Sequence, residues 1–285
     1  MKQSIQFPDG RQVLNLGQGT WRLGEDAAKY DQEVAALRSG IESGLTLIDT
    51  AEMYGDGKSE ELVGDAIAAY QREDLFIVSK VYPHHAGRSA IFDACEQTLQ
   101  RLGIDSLDLY LLHWRGSVPL QETVDCFEEL KQQGKIKGWG VSNFDLEDME
   151  ELLSVNGGDQ CQTNQVLYHL ASRGTEVALQ DYLKERNIPM MAYCPVIGQE
   201  PQLKERVYND QTVQAIAKAH GISIIQLLLA FVLQKENIIA IPKASTEKHV
   251  QLNADMLTMQ LTEEEIKKLD AAFPVPDHRV PLSVQ

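Results

Sequence analysis

The residues best suited to chemistry are three polar residues at the ends of predicted strands and a tyrosine close behind the first of them. Asp49, Lys80 and His113 each end an apolar run, the runs being LTLID, LFIVSK and LDLYLLH. Tyr54 follows Asp49 by five residues. A carboxylate at the end of a buried strand is costly unless a partner compensates its charge. Lys80, at the end of the next strand, is the predicted partner of Asp49.

These side-chain types together suit proton transfer to a carbonyl oxygen. A free tyrosine has a pKa of about 10, which is too high for easy proton transfer at neutral pH. We expect the Lys80 ammonium, held in place by Asp49, to lower the pKa of Tyr54. Tyr54 would then act as a general acid toward a carbonyl oxygen that His113 orients by a hydrogen bond. The reaction also needs a bound hydride donor, because no cysteine pair or metal cluster in the sequence supplies electrons.

Each of these residues also has a purely structural interpretation. Asp49 and Lys80 could form a buried ion pair without any catalytic role. Tyr54 alone is typical of a loop aromatic that packs on the fold, and His113 alone is typical of a core histidine. Their joint placement on three consecutive strand ends favours a functional site over these alternatives.

Strand-like and helix-like runs alternate along the sequence. Eight strand-like runs, from LNLGQG to IIAIPK, are each followed by helix-like sequence. Strict alternation predicts a parallel sheet, and eight units in 285 residues predict a single (β/α)8 TIM barrel of the α/β class. The alternative is an open doubly wound sheet, which has a glycine fingerprint after its first strand. The corresponding turn here, GQGTWR, lacks the third glycine.

Further elements are predicted at both ends of the barrel. SIQFPDGRQVLN alternates around a Pro-Asp-Gly turn and predicts an N-terminal β-hairpin, whereas TEKHVQLNADM and TEEEIKKLDAAF predict a C-terminal helical tail. No linker or change in composition divides the chain, so we expect residues 1–285 to form one domain. The long connection YCPVIGQEPQLKERVYND is a candidate functional loop. Ser59 is the predicted N-cap of the helix after Tyr54.

Composition narrows the classes of partner. The formal net charge of −16 disfavours binding to nucleic acid or to an anionic membrane, since both need clustered Lys and Arg. The four cysteines are widely spaced, and His84 and His85 lack a third ligand, so no metal site is predicted. The amino terminus lacks the apolar core of a signal peptide, and the longest apolar segment is too short to span a bilayer. We expect a cytoplasmic monomer or weak homo-oligomer.

Several motifs at the strand ends resemble those of a known family. LIDTAEMYG, VSK, LLHW and GVSNF are similar, in that order, to motifs of the aldo-keto reductases, in particular of the prokaryotic branch with its methylglyoxal and other 2-oxoaldehyde reductases. The resemblance extends from GQGTW to IPKASTEKHVQLN, which is most of the chain. It implies a (β/α)8 barrel that binds NADPH without a Rossmann fold and reduces aldehydes or ketones to alcohols. It also implies a catalytic tetrad, with Tyr54 as proton donor, made of Asp49, Tyr54, Lys80 and His113.

The same resemblance implies which residues bind the cofactor. Ser142, Asn143 and Gln165 match contacts to the nicotinamide carboxamide. Tyr193 matches the aromatic residue that stacks on the nicotinamide ring, and Lys243 matches a basic residue near the pyrophosphate or the 2′-phosphate. The remaining residues implied in cofactor binding are Gly19, Thr20, Trp21, Ser245, Thr246, His249 and Asn253.

Two departures from the family pattern bear on the cofactor preference. Many members have a serine after the lysine that Lys243 matches, and this chain has Ala244. Many also have an arginine that holds the 2′-phosphate, and the matching residue here is His249. Histidine is largely neutral at neutral pH and cannot form the bidentate fork of arginine. NADPH is still the expected cofactor, with weaker binding of NADH, but the two departures leave a dual or weak preference for NADP open.

The substrate pocket is expected at the same end of the barrel. Its candidate residues are Trp21, Met53, Tyr82, His113 and Trp114. Several aromatic residues there favour a small or flat carbonyl, such as a 2-oxoaldehyde or an aromatic aldehyde. Two other functions remain open at this point. Lys80 could form a Schiff base in a lyase, although Asp49 would keep it protonated, and the chain could be a cofactor-binding regulatory subunit without significant turnover.

Overall fold

The computed structural model describes residues 4–198 and 200–284. An antiparallel hairpin precedes the barrel, and its strands are β1 (Ser4–Gln6) and β2 (Gln12–Leu14). Phe7, after β1, stacks on Phe76 with ring centroids 5.1 Å apart and an interplanar angle of 7°. Ile5 and Val13 belong to the apolar cluster inside the barrel. The predicted hairpin is confirmed, and it covers the amino-terminal end of the barrel.

Eight parallel strands form the central sheet, and each pairs with the next one along the chain. The strands are β3 (Gln18–Gly19), β4 (Leu47–Asp49), β5 (Phe76–Val81), β6 (Leu109–Leu112), β7 (Trp139–Ser142), β8 (Asn164–Leu167), β9 (Met190–Tyr193) and β10 (Ile238–Ala240). Parallel bridges join Leu16 to Ala240 and Gly19 to Lys243, which connects the two edges of the sheet. The predicted (β/α)8 barrel is confirmed.

Side chains of each strand alternate between the inside of the barrel and the layer between strands and helices. The cluster inside the barrel includes Leu47 of β4, Val78 of β5 and Leu111 of β6. Asp49, Lys80 and His113 each lie two residues beyond one of these inward-facing residues. The alternation therefore directs all three polar side chains into the carboxyl-terminal mouth of the barrel.

Helices surround the sheet. In the described ranges they are α1 (Tyr30–Glu42), α2 (Lys58–Ile67), α3 (Ile91–Leu102), α4 (Leu120–Gln132), α5 (Leu146–Ser154), α6 (Leu179–Glu185), α7 (Pro201–Asn209), α8 (Gln211–His220), α9 (Ile224–Leu233), α10 (Glu247–Ala254) and α11 (Glu263–Ala272). The predicted C-terminal helical tail is present as α10 and α11, whereas α7 lies in a connection for which no helix is predicted. No single helix in residues 4–198 and 200–284 is long and apolar enough to cross a membrane, and α8 and α9 pass that test only as a pair bent by 89°.

Candidate active site

Asp49 and Lys80 form a buried ion pair in the mouth of the barrel. Lys80 Nζ lies 2.8 Å from Asp49 Oδ2, and the two side chains are 0% and 3% exposed. The same nitrogen donates to the Thr50 carbonyl at 2.8 Å and to Tyr54 Oη at 3.0 Å. Three acceptors match the three N–H donors of an ammonium group. Burial lowers the pKa of Lys80, while the Asp49 carboxylate opposes that shift.

Tyr54 reaches the ion pair from a short helical turn that follows β4. The turn spans Tyr54–Gly57, and α2 begins directly after it. The phenol is buried, with 9% of the residue exposed. Because its oxygen accepts a hydrogen bond from Lys80, the hydroxyl proton is available for donation to another group.

The electrostatics of Tyr54 differ from the expectation. Burial raises the pKa of the Tyr54 phenol well above its usual value, and the Asp49 carboxylate raises it further. The prediction that Lys80 lowers this pKa is therefore wrong, since the loss of solvent outweighs the effect of a cation that Asp49 already neutralises. Tyr54 consequently keeps its proton at neutral pH, which is the state that a proton donor needs.

His113 lies beside the phenol and is also buried. Its ring meets the Tyr54 ring edge to face, with centroids 5.9 Å apart and an interplanar angle of 75°. Burial and the charge of Lys80 lower the pKa of His113 well below its usual value, so the imidazole is neutral at physiological pH. Within the described part of the chain, its buried Nδ1 atom has no hydrogen-bond partner. Such atoms are uncommon in proteins, and a bound polar molecule is one explanation for them.

Polar residues from β7, β8 and β9 continue the site across the barrel. Gln165 Nε2 donates to Asp49 Oδ1 at 2.7 Å, which links this group to the ion pair. Ser142 Oγ donates to the Gln165 carbonyl at 2.8 Å. The Tyr193 hydroxyl donates to Asn143 Oδ1 at 2.8 Å, and Asn143 Nδ2 donates to Ser142 Oγ at 3.2 Å. These bonds fix the amide and hydroxyl groups in one connected network.

The side chains surround a cavity of about 300 Å³ at the carboxyl-terminal ends of the strands. The predicted site residues that line it are Gly19, Thr20, Trp21, Asp49, Met53, Tyr54, His113, Ser142, Asn143, Gln165, Tyr193 and Lys243. Lys80 lies behind Asp49 and Tyr54 and is fully buried. Residues from five strands, and from loops that follow these and two further strands, therefore converge on one space, as is typical of catalytic sites in barrels.

Other lining residues were not predicted individually as site residues. They are Arg22, Cys194, Pro195, Val196, Ile197, Gly198, Ile241 and Pro242. Residues 194–198 begin the connection after β9, and its unusual length was the signal that pointed to a functional loop. Arg22 follows Trp21 directly, and its guanidinium carbon lies 5.2 Å from the centre of the Trp21 ring. A cation next to the GQGTW motif was thus a second available signal.

Two predicted substrate residues, Tyr82 and Trp114, lie outside the lining that the described residues form. Their rings continue a row that begins at His113. The ring centroids of His113 and Trp114 are 4.9 Å apart, and those of Trp114 and Tyr82 are 5.9 Å apart. Contact of Tyr82 and Trp114 with a substrate stays a prediction. Trp114 is 37% exposed.

Four predicted cofactor residues also lie outside this lining. They belong to α10 and to the segment before it, and they are Ser245, Thr246, His249 and Asn253. Thr246 is the N-cap of α10, where its hydroxyl accepts from the backbone nitrogen of His249 at 3.3 Å. His249 is exposed, whereas Asn253 is buried. Lys243, which does line the cavity, precedes this helix by four residues. Their contact with a cofactor stays a prediction.

Comparison with known proteins assigns the chain to a family. The profile described as "Aldo/keto reductase family" matches residues 15–273. The chain is 50% identical to methylglyoxal reductase YeaE of Escherichia coli (strain K12) over 283 residues, which cover 99% of both chains. It is 33% identical to glyoxal reductase of Bacillus subtilis (strain 168) over 273 residues, covering 95% of this chain and 93% of that protein.

Solved structures agree with this assignment. An aldo/keto reductase from Klebsiella pneumoniae, solved in complex with NADP and acetate, is 48% identical to this chain and has a TM-score of 0.96. The alignment covers 100% of both chains. An aldo-keto reductase from the same organism in complex with NADPH has a TM-score of 0.97 at 48% identity, again with complete coverage. The fold, the strand-end motifs and these similarities show that the chain belongs to the aldo/keto reductase family of oxidoreductases.

Proposed function

We propose that this chain uses NADPH to reduce small 2-oxoaldehydes or aromatic aldehydes to alcohols, with Tyr54 as the proton donor. The observation that supports the proposal most directly is the hydrogen bond of 3.0 Å between Lys80 Nζ and Tyr54 Oη. It places a neutral phenol, with its proton available, at the wall of a cavity that a carbonyl compound can enter. The chemistry of the site is thus that of carbonyl reduction.

The cavity offers groups that fit NADPH. The connected amides and hydroxyls of Asn143, Gln165 and Ser142 suit the carboxamide of a nicotinamide, which needs both donors and acceptors. Arg22 and Lys243 also line the cavity, and in a chain with a net charge of −16 these two cations favour a phosphate. The similar aldo-keto reductase from Klebsiella pneumoniae was solved in complex with NADPH, which supports the same cofactor for this chain. When bound, NADPH supplies the hydride that adds to the carbonyl carbon.

The residues of this chain donate the proton that the carbonyl oxygen needs and stabilise the group that has lost it. As the carbonyl π bond breaks, the oxygen takes the proton of Tyr54 and becomes the alcohol hydroxyl. The phenolate that remains is stabilised by the hydrogen bond from Lys80, whose charge Asp49 holds in place. Tyr54 then regains a proton from solvent, so each turnover consumes one hydride and one proton. Neutral His113 orients the carbonyl oxygen without competing as a proton donor.

The proposed substrate class follows from the size of the site and from the relatives. A cavity of about 300 Å³ that also holds the reactive end of a cofactor leaves room for a small carbonyl compound. Trp21, Met53 and Ile197 supply apolar walls. Two relatives carry the names methylglyoxal reductase and glyoxal reductase, and both names denote 2-oxoaldehyde substrates. The alternative of a Schiff-base lyase is disfavoured because all three protons of Lys80 are engaged.

The proposal is tested by a fluorescence titration with NADPH and NADH, followed by a panel of carbonyl compounds assayed at the nicotinamide absorbance. We expect NADPH to bind more tightly, and methylglyoxal and aromatic aldehydes to be reduced faster than a bulky ketosteroid. The reverse order of substrates would contradict the proposed class. NADPH binding without turnover of any aldehyde would favour a regulatory subunit instead.

The role of Tyr54 is tested by Tyr54→Phe, which removes the acidic proton and little else. We expect turnover to fall by about 10²-fold or more, as for loss of a general acid, while the Kd for NADPH stays nearly unchanged. Near-normal turnover in this variant would remove Tyr54 from the mechanism. The ring should stay in place because its packing against His113 does not involve the hydroxyl.

A cytoplasmic location and a monomeric or weakly self-associating state are part of the same proposal. Cys95, Cys126 and Cys161 are buried thiols that form no disulfide, which suits a reducing compartment. Cell fractionation tests the location, and light scattering of the purified protein over a range of concentrations tests the state. A disulfide-linked or tightly associated oligomer would contradict it.

A further inference from the structure

The turn that presents Tyr54 has an unusual backbone. Gly55, Asp56 and Gly57 follow one another with φ angles of 59°, 52° and 91°. A non-glycine residue rarely adopts a positive φ, and such segments persist only where the surrounding structure holds them. The position of Tyr54 therefore depends on what holds the end of this turn, which is the start of α2.

Two buried polar side chains hold the first turn of α2. Ser59 Oγ donates to Thr20, whose hydroxyl and carbonyl oxygens lie 2.8 and 3.0 Å away. The Glu60 carboxylate is fully buried and accepts from Ser79 Oγ at 2.5 Å and from Arg101 Nε at 2.6 Å. Thus Ser59 connects α2 to the end of β3, and Glu60 connects it to β5 and α3.

The hydrogen bond between Glu60 and Ser79 joins α2, which follows the Tyr54 turn, to β5, which carries Lys80. The distance between these two elements sets the separation of Lys80 from the proposed proton donor. Ser79 is the neighbour of Lys80 in β5, and its side chain points outward while that of Lys80 points inward. Glu60 is the third residue of α2, which begins directly after the Tyr54 turn. The bond from Ser79 to Glu60 therefore runs behind the hydrogen bond of 3.0 Å from Lys80 to Tyr54.

Arg101 covers the Tyr54 turn from outside the barrel. A Cβ atom built on Gly57 would lie 2.5 Å from Arg101 Cδ and 2.8 Å from Arg101 Nε, so the arginine side chain fills the space beside this glycine. Glu60 fixes Arg101 there through the bond to Nε. Arg101 is 21% exposed in its side chain, whereas Glu60 has no exposed surface.

We propose that Glu60 is a positioning residue for Tyr54, acting through Ser79 and Arg101 although it lines no part of the cavity. The inference rests on the proposed role of Tyr54 as proton donor. A fully buried carboxylate loses its hydration, and replacing such an ion pair by apolar residues is often neutral or stabilising. Its placement between the Tyr54 turn and the strand of Lys80 gives it a function in alignment. Misplacement of a reacting group by about 1 Å can slow a reaction by about 10²-fold.

The test compares Glu60→Gln with Tyr54→Phe and with the double variant. Glutamine keeps the shape of the side chain and one acceptor oxygen, but it removes the negative charge that forms the ion pair with Arg101. We expect Glu60→Gln to lower kcat for aldehyde reduction by about 10-fold with the Kd for NADPH unchanged, because only the alignment of the donor is affected. The solvent isotope effect on kcat should rise, since transfer of the proton becomes slower. Arg88→Met, which removes the exposed ion pair of Arg88 with Glu129, is the matched control.

The double variant separates alignment from general damage. If Glu60 acts through Tyr54, adding Glu60→Gln to Tyr54→Phe costs no further activity, because the proton donor is already absent. An equal loss in both backgrounds, or an unchanged isotope effect in the single variant, would overturn the proposal. If Glu60→Gln does not fold, Ser79→Ala and Arg101→Lys apply the same test with smaller changes. Near-normal turnover of Tyr54→Phe alone would instead refute the proposed proton donor, so the two failures are distinguishable.

Discussion

The side-chain amide of Gln165 donates to Asp49 Oδ1 at 2.7 Å, while Lys80 occupies Oδ2 of the same carboxylate. Asp49 is therefore held from both sides, by a charged donor and by a neutral one. Gln165 also lines the cavity beside Ser142 and Asn143. One residue thus connects the ion pair behind Tyr54 with the groups proposed to bind the nicotinamide, and a change at Gln165 should affect both.

Gln165→Glu should lower turnover more than Gln165→Met does. A second carboxylate beside Asp49 repels its charge, whereas methionine only removes the hydrogen bond that Gln165 Nε2 donates to Asp49 Oδ1 at 2.7 Å. We expect kcat/KM for aldehyde reduction to fall further in Gln165→Glu than in Gln165→Met, because the repulsion disturbs the ion pair behind Tyr54. Equal losses in the two variants would show that a charge at position 165 is not coupled to Asp49.

Lys80→Met should destabilise the fold as well as abolish turnover. It leaves the Asp49 carboxylate buried without its cation, which typically costs about 3–5 kcal/mol. Adding Asp49→Asn removes the unpaired charge and should recover part of that loss, although it restores no activity. Urea unfolding of the two variants measures the difference. If the double variant is no more stable than Lys80→Met alone, Asp49 is not held as an ionised group by Lys80.

Strand alternation explains how much of the site could be predicted from the sequence. Asp49, Lys80 and His113 each continue the inward-facing positions of the apolar run before them. A closed parallel barrel therefore brings the three side chains to one mouth. Tyr54 could be added because it lies close behind Asp49 in the chain. The fold and the central group of residues therefore follow from local patterns and one topological rule.

Properties that depend on exact burial were not predictable in the same way. The pKa of Tyr54 is raised because the phenol is buried, whereas its sequence neighbours suggest only a nearby cation. Ser59, predicted as an N-cap, instead donates to Thr20, and α2 begins at Lys58 with Gly57 as its N-cap, two residues earlier than predicted. The side-chain partner of Ser59 comes from a distant strand end, which a local pattern does not specify.

His169 should make the fold less stable at acidic pH. Burial lowers the pKa of His169 to about 4, whereas an unfolded histidine has a pKa of about 6.5. The unfolded chain therefore binds a proton at His169 that the folded chain does not bind. The free energy of unfolding consequently falls as the pH falls from about 6.5 to about 4. For this residue alone the loss at the acidic end is about 3 kcal/mol.

His169→Asn tests this contribution to the pH dependence. Asparagine can keep the hydrogen bond that His169 Nδ1 accepts from the nitrogen of Ala171 at 3.2 Å, but it does not titrate. We expect its free energy of unfolding to decline less between neutral pH and about pH 4 than that of the unmodified protein. A decline equal to that of the unmodified protein would mean that His169 does not take up a proton on unfolding in this range.

Lys243→Ala should weaken NADPH binding more than NADH binding. Lys243 lines the cavity and precedes α10, so we expect its ammonium to contact the phosphate that distinguishes the two cofactors. Loss of a hydrogen bond to a charged group costs about 1.5–3 kcal/mol, which corresponds to a rise in Kd of at least about 10-fold. The difference should shrink at high ionic strength, because salt screens exposed charges. Lys248→Ala removes an exposed lysine from α10 itself and should change neither Kd. Fluorescence titrations of both cofactors decide the outcome, and equal losses for NADPH and NADH would contradict a contact between Lys243 and the 2′-phosphate.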